Sequence, residues 1–222
     1  MIVSVTNKQR RSAIINVVIA VILAILIKLN IILPKIIDDN VHSWFANLQT
    51  GFGDVIMSIA TFLGNPVVDV VYVLILAGVL VIAKLHIPAI WTVATILLGD
   101  VFLTIIRLII DRPRPVGHLL ADSSSSFPST HVFGLFVVIF IIAILVTPNI
   151  NSTYAQIIIN WLTIIIGLMT ILSRIYFNAH FLSDTIAAVL FAYSWVILSA
   201  SFYPKLAILL QTHISIFKHD EI

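Results

Sequence analysis

Six stretches of this chain are apolar enough and long enough to cross a lipid bilayer, at about 13–34, 64–83, 88–110, 132–147, 157–173 and 185–203. Crossing the hydrocarbon core takes roughly 20 apolar residues of helix, a conformation that satisfies its own backbone there. The pattern predicts an all-α polytopic membrane protein, a bundle of six transmembrane helices. Composition agrees: 60% of the 222 residues are hydrophobic and 10% charged, where a soluble domain has roughly 45–50% and 25%. The fourth and fifth stretches are short, which a thinner bilayer or snorkelling flanks would accommodate. Lys28, late in the first stretch, has a stem long enough to reach the interface.

No repeat, low-complexity tract or soluble segment interrupts the pattern, so residues 1–222 read as one membrane domain. A basic stretch (Lys8, Arg10, Arg11) precedes a long apolar run with no small-x-small pattern after it, which predicts a retained first span rather than a cleaved leader. The positive-inside rule puts these cations in the cytoplasm. Alternation then places 35–63, 111–131 and 174–184 outside, and 84–87, 148–156 and the tail inside, with both termini cytoplasmic. Lys84, Lys205 and Lys218 fit; Lys35 does not, and Arg112, Arg114 and Arg174 also fall outside, where anion binding would make them poor reporters of topology. The net charge of +2 is small and scattered, which argues against a nucleic-acid partner, and the lack of cysteine excludes disulfides, thiol catalysis and Cys-based metal sites. In 35–63, Trp44, Phe45 and Phe52 sit among polar residues. Two readings stand there: an amphipathic helix at the outer headgroup level, or an interfacial loop with aromatic anchors.

Three polar clusters interrupt the apolar pattern: "RLIIDRPRP" at 107–115, "FPSTH" at 127–131 and "SRIYFNAHFLSD" at 173–184. Parity puts all three on one face of the membrane, whichever way the protein is oriented. They gather Arg107, Arg112, Arg114 and Arg174, two histidines (His131 and His180) and Asp184. Guanidinium forks match phosphate oxygens, and imidazoles titrate near neutral pH. Asp184 is four residues beyond His180, one turn away if a helix begins there, and a carboxylate on one imidazole nitrogen raises the basicity of the other. Arginines, two histidines and one carboxylate suit phosphoryl transfer. Metal binding is the competing reading, opposed by the missing second carboxylate and by the arginines, which would repel a cation.

These residues resemble the type 2 phosphatidic acid phosphatase (PAP2) superfamily. Its first motif is Lys, six residues, then Arg-Pro; here Arg107 takes the lysine position and Arg114-Pro115 closes the motif. Its second, Pro-Ser-Gly-His, reads Pro128-Ser129-Thr130-His131, and its third is complete as Ser173-Arg174, His180 and Asp184. The six-span layout also matches bacterial members. The resemblance implies His180 as nucleophile through a phosphohistidine, Asp184 orienting it, and His131 as general acid for the leaving oxygen. It implies Arg107, Arg114, Ser129 and Arg174 holding the phosphate, with a backbone N–H near Thr130, and no metal or other cofactor. His131 would open the fourth span, where the helix dipole favours an anion. Two positions depart from the motif. Arg107 keeps the cation but changes its shape, and Thr130 puts a Cβ where the family has glycine.

Outside the motifs, Arg112 reads as a solvated rim charge, and His118 with the "ADSSSSF" stretch as a loop. His42, His86, His213 and His219 read as interfacial or exposed. Asp100, seven residues before Arg107, reads either as a support for that arginine or as a partner of some polar group inside the bundle. The resulting expectation is a lipid phosphatase of the bacterial cell membrane with its site at the outer face. Its partners are the bilayer and a lipid phosphate, with undecaprenyl diphosphate favoured and phosphatidylglycerophosphate or phosphatidate as alternatives. A lipid phosphotransferase would use the same residues; a non-catalytic transporter or scaffold would not need the histidine pair. The sequence does not set the oligomeric state.

Overall fold

A computed structural model of the chain describes residues 2–46, 48–117, 124–214 and 217. The described residues form eight α-helices and no strand: α1 (Asn7–Lys28), α2 (Ile32–Ala46), α3 (Gly51–Leu63), α4 (Pro66–Ile82), α5 (His86–Ile110), α6 (Thr130–Ile141), α7 (Thr153–Tyr176) and α8 (Leu182–His213). A π turn (Ile142–Val146) and a 3-10 turn (Thr147–Asn149) prolong α6, so that Thr130–Asn149 forms one apolar unit of 20 residues. With α1, α5, α7 and α8 this makes five helices among the described residues long and apolar enough to span; α3 and α4, bent by 51° at their junction, reach that length and apolarity only as a pair, where the apolar pattern predicts a sixth span over 64–83.

Helix ends are where the structure departs from the apolar pattern. The first span stops at Lys28 instead of 34, because Asn30 turns left-handed at φ 53° and Ile31 N–H donates back to Leu26 O at 2.9 Å. Lys84 (φ 60°) ends α4 with Leu85 N–H on Leu80 O at 2.8 Å, and Asn178 (φ 53°) ends α7 with Ala179 N–H on Arg174 O at 3.0 Å. These are Schellman closures built on asparagine or lysine instead of glycine. The fourth and fifth spans are longer than their apolar runs. The turns after Ile141 extend one, and the Ser152 cap, whose Oγ accepts from Ala155 N, starts the other early enough to include Thr153 and Gln156. The segment 35–63 is neither a loop nor a single amphipathic helix: it holds most of α2 and all of α3.

Core packing runs through α6, whose Val132, Phe133, Leu135, Val137, Val138 and Ile141 are buried, and through α8, which packs on both α1 and α6. The buried side of α1 carries Ala13, Ala20 and Ala24, and Ser194 Oγ of α8 donates to Ala13 O at 2.9 Å. Small residues let transmembrane helices approach closely where lipid supplies no hydrophobic contrast. On its other side α1 exposes Ile14, Ile15, Val18, Ile22 and Ile25, a face suited to lipid tails. The pairs α4–α5 and α3–α7 complete the bundle. This packing brings the C-terminal ends of α5 and α7 and the N-terminal ends of α6 and α8 to one end of the molecule.

Candidate active site

His180 is held by the end of α7. After Asn178 reverses the chain, both Ala179 N–H and His180 N–H donate to Arg174 O, at 3.0 and 3.2 Å. The imidazole is 2% exposed, and its Nδ1 lies 2.7 Å from Ser126 O. A carbonyl only accepts, so Nδ1 carries the proton and the lone pair sits on Nε2. Nε2 lies 3.4 Å from Nη1 of Arg114. Burial pushes the imidazole down to about 4; Asp184 pulls it up, while the Arg174 and Arg114 charges add to the depression. A histidine so placed is a neutral base at ordinary pH, its Nε2 lone pair facing the Arg114 guanidinium.

Asp184 is fully buried in the first turn of α8. Its Oδ2 accepts Phe181 N–H at 2.9 Å and lies 3.8 Å from His180 Nδ1, too far for a hydrogen bond. The Ser126 carbonyl, not the carboxylate, is therefore the direct partner that fixes the tautomer. Oδ1 of Asp184 accepts Arg112 Nη1 at 2.5 Å. That contact corrects the reading of Arg112 as a solvated rim charge. Its side chain is 12% exposed, its Nη1 also donates to Ser183 Oγ at 2.8 Å, its Nη2 to Asp38 Oδ2 at 2.8 Å, and its carbon centre lies 4.0 Å from the centroid of the Phe181 ring. The reason is the left-handed Asp111 (φ 50°), which turns the chain back over the bundle end instead of out into solvent.

The segments 112–114 and 124–128 brace each other. Ser126 N–H donates to Arg112 O at 2.8 Å, Ser126 Oγ to Pro113 O at 3.1 Å, and Arg112 N–H to Ser125 Oγ at 3.1 Å. Arg114 donates to Ala179 O at 2.9 Å and Ser124 O at 3.1 Å, and Arg107 to Pro128 O at 2.9 Å and Ser124 Oγ at 2.7 Å. Ser129 caps α6, but its Oγ, fully buried, has no hydrogen-bond partner among the described residues. Its backbone N–H donates to Asp184 O at 3.3 Å, tying α6 to α8. The cap side chain thus leaves the first N–H groups of α6 unsatisfied by it, an arrangement that receives anions. Thr130 is the first residue of α6 and has no positive φ, so its Cβ strains nothing; His131 follows, half-buried. Arg174 is 1% exposed and close enough to His180 to act on its charge.

The PAP2 superfamily profile matches residues 88–208. The chain belongs to the PAP2 superfamily. Among solved structures it is similar to the crystal structure of a transmembrane PAP2-type phosphatidylglycerolphosphate phosphatase from Bacillus subtilis, with a TM-score of 0.74 over 87% of this chain and 96% of that one. Sequence identity is 19%, so the likeness is one of fold. No curated protein matches the chain by sequence.

Of the residues marked by the PAP2 motifs, the structure gathers His180, Asp184, Arg114, Arg107, Ser129 and Arg174 about one end of the bundle, with Thr130 and His131 at the start of α6. Asp100 faces Asp69 of α4 inside the bundle. His118 and His219 lie outside the described residues, as do the first three residues, 121–123, of the "ADSSSSF" stretch. Sequence reasoning missed Ser126, Ser124 and Asp38. Asp38 is one of two adjacent acids in a chain poor in charge, which marks it as unusual without saying what it binds. Ser126 had no readable signal, since a backbone carbonyl partner leaves no mark on side-chain identity, and Ser124, which accepts Arg107 through Oγ, is one of four consecutive serines that sequence alone does not tell apart.

Proposed function

We propose that this PAP2 protein is a metal-independent lipid phosphatase that works through a phosphohistidine. The carrying observation is His180 itself, neutral, buried, with Nδ1–H on the Ser126 carbonyl and Nε2 turned toward Arg114. Nε2 attacks phosphorus and the bond to the leaving oxygen breaks. His131 gives that oxygen its proton, and Arg107, Arg114, Arg174, Ser129 and the α6 N-terminus neutralise the equatorial oxygens. Water then attacks the phosphohistidine while His131, now neutral, takes its proton; the N–P bond breaks and phosphate leaves. Arginines do here what a divalent cation does elsewhere.

The substrate class we favour carries two phosphates on one lipid, undecaprenyl diphosphate first. A cleft of about 390 Å³ adjoins the site between α1, α2 and the end of α5, and Arg112 and Arg114 line both. Lys28 and Lys35 also line it, against Asp39 and Asp111, an excess of cations that suits a second phosphate. Phosphatidylglycerophosphate also has two phosphates and is the second reading, favoured by the fold shared with the Bacillus subtilis phosphatase; phosphatidate has one. We place the site at the outer face of a bacterial cell membrane with both termini cytoplasmic, from the basic start of α1.

The deciding experiment is phosphate release by the purified protein from these three lipids, with and without a chelator, and with a trap for acid-labile phosphoprotein. We expect release from the two-phosphate lipids, no effect of chelation, and label on wild type but not His180→Ala. No release from any lipid overturns the function. Activity lost to chelation and restored by one divalent ion overturns metal independence. Single cysteines at Val116 and Asn151, in a chain that has none, test sidedness: an impermeant reagent on intact cells should label 116 and not 151.

A further inference from the structure

A second groove of the bundle shares no residue with the proposed site. Lined by α1, α8 and Phe102 of α5, it encloses about 390 Å³, within the roughly 300–1,000 Å³ of small-molecule sites. Arg10, Ala13, Ile14 and Val17 contribute from α1 at the spacing of one helix face. Trp195 of α8 lines it too, stacked on Phe102 with ring centroids 5.0 Å apart. The other polar atoms around it are engaged inside the protein. Ser194 Oγ donates to Ala13 O at 2.9 Å, Ser201 Oγ to Ile197 O at 2.8 Å, and Trp195 Nε1–H to Thr95 O at 2.9 Å. The groove therefore offers carbon along its length and one uncommitted charge, the Arg10 guanidinium, which has no hydrogen bond or ion pair among the described residues. Lys28 Nζ reaches Ile110 O at the site end of the bundle, so the N-terminus of α1, with Arg10, marks the opposite end. Lys8, Arg11, Lys84 and Lys205 stand towards that end as well. No acid competes there: none precedes Asp38, none lies between Asp69 and Asp100 or between 123 and 183, and none follows Asp184 in α8.

We propose that this groove binds an anionic phospholipid, with an acyl chain lying along α1 and the headgroup phosphate on Arg10, in the leaflet opposite the proposed active site. An acyl chain asks for carbon contact alone, which is what the groove supplies once its serines and indole are satisfied internally. A phosphate suits a guanidinium fork that no carboxylate competes for. One cation at an anionic bilayer surface contributes a factor of about five in affinity. A zwitterionic lipid carries its own cation beside the phosphate and gains less from Arg10. The site stands whether or not the protein is a phosphatase, since none of the residues assigned to phosphate or proton transfer lines it.

The test uses Trp195 as reporter. Trp44→Phe/Trp161→Phe protein keeps only Trp195 and the buried Trp91. It is reconstituted in phosphatidylcholine vesicles with rising fractions of phosphatidylglycerol or phosphatidylcholine whose acyl chains are brominated, and bromine quenches indole fluorescence on contact. Brominated phosphatidylglycerol should quench Trp195 at about one-fifth of the mole fraction that brominated phosphatidylcholine needs. Arg10→Gln, a change at an exposed position, should abolish that preference, and Arg10→Lys should keep most of it. Lys8→Gln, which removes a neighbouring charge outside the groove, should leave it in place. Trp44→Phe/Trp195→Phe protein reports instead from Trp161, exposed on α7 towards the same end of the bundle, and there the two lipids should quench alike. A preference that survives Arg10→Gln, or that Lys8→Gln removes as fully, overturns the inference in favour of diffuse surface charge. An equal preference at Trp161 overturns it in favour of ordinary lipid around the bundle. Quenching of Trp195 by neither lipid overturns it too, and a dimeric mass in detergent then gives the groove to a second copy of the chain. So does relief of the quenching by undecaprenyl diphosphate, which would give the groove to a substrate's tail.

Discussion

Asp184 and Asp69 are both carboxylates sealed inside a lipid-facing bundle, and the protein treats them in opposite ways. Asp184 is bonded to a guanidinium and a backbone N–H, and its neighbour Asp38 accepts three hydrogen bonds. Asp69 on α4 is 1% exposed, and neither of its oxygens has a hydrogen-bond partner among the described residues. What receives it is space: Gly134 of α6 lies so close that a Cβ there would overlap Asp69 Oδ2. Asp100 faces it from α5. At the bundle end, fixed cations and backbone donors hold an acid in one orientation. Inside the bundle, a missing side chain on the neighbouring helix makes room for one. Burial of an acid in lipid is therefore not in itself the mark of chemistry; the partner set is. A buried ion pair costs desolvation that its attraction only partly offsets, and what it secures here is geometry around His180.

The largest effects should separate these regions. His180→Ala should abolish phosphate release, and His131→Ala should lower it by about 10²–10⁴-fold, the contribution of a general acid. Asp69→Asn, which keeps shape and loses charge, should stay within about tenfold of wild type, since no hydrogen bond among the described residues joins its side chain to the site. Kinetics of the three variants on one lipid phosphate decide the matter. An Asp69→Asn enzyme as impaired as His131→Ala would break the comparison and put the intramembrane acid in the reaction.

A smaller effect sharpens the claim that Asp69 is accommodated by shape. Gly134→Ala should destabilise the protein by about 1–3 kcal/mol, the usual cost of overpacking. Adding Asp69→Ala removes the atom that the new Cβ meets, so the double variant should be more stable than the sum of the two single losses predicts. Unfolding in detergent for the four members of the cycle measures this coupling. Additive losses would show that α6 and α4 yield to the methyl group independently.

The same contrast sets what was legible in the sequence. The proposed site was readable because arginines, histidines and an acid are rare in an apolar chain and stand at the spacings of the family's motifs, 107–115, 128–131 and 173–184. The bundle was readable because lipid demands long apolar helices. Helix ends were not: Asn30, Lys84, Asp111 and Asn178 turn left-handed without being glycine; asparagine and aspartate tolerate that turn but occur at many other positions, and Lys84 gives no signal at all. The role of Asp38 was hidden because α2 lies in a segment whose apolar and polar residues fit two descriptions, and its partner Arg112 is defined by a fold-back that only Asp111's backbone reveals. The tautomer of His180 was hidden altogether, since its partner is a carbonyl.

The smallest effect is that of Arg107→Lys; Arg107 stands on α5 between the two regions, seven residues after Asp100. The family motif has lysine at this position, and charge alone would predict that Arg107→Lys is harmless. The structure gives the guanidinium a second task. Nη1 holds Pro128 O at 2.9 Å and Nη2 holds Ser124 Oγ at 2.7 Å, so one side chain pins both ends of the segment whose middle, Ser126, carries the histidine's partner carbonyl. A single ammonium reaches one of these acceptors with its charge intact but cannot span both in a planar fork. Arg107→Lys should therefore cost a few-fold in kcat/KM, about the ~1 kcal/mol of one hydrogen bond, and Arg107→Ala should cost ~1.5–3 kcal/mol more as the charge is lost. Equal losses for lysine and alanine would mean that the fork, not the charge, is what the site uses, and that Arg107 belongs with the braces around His180 instead of with the groups that meet phosphate.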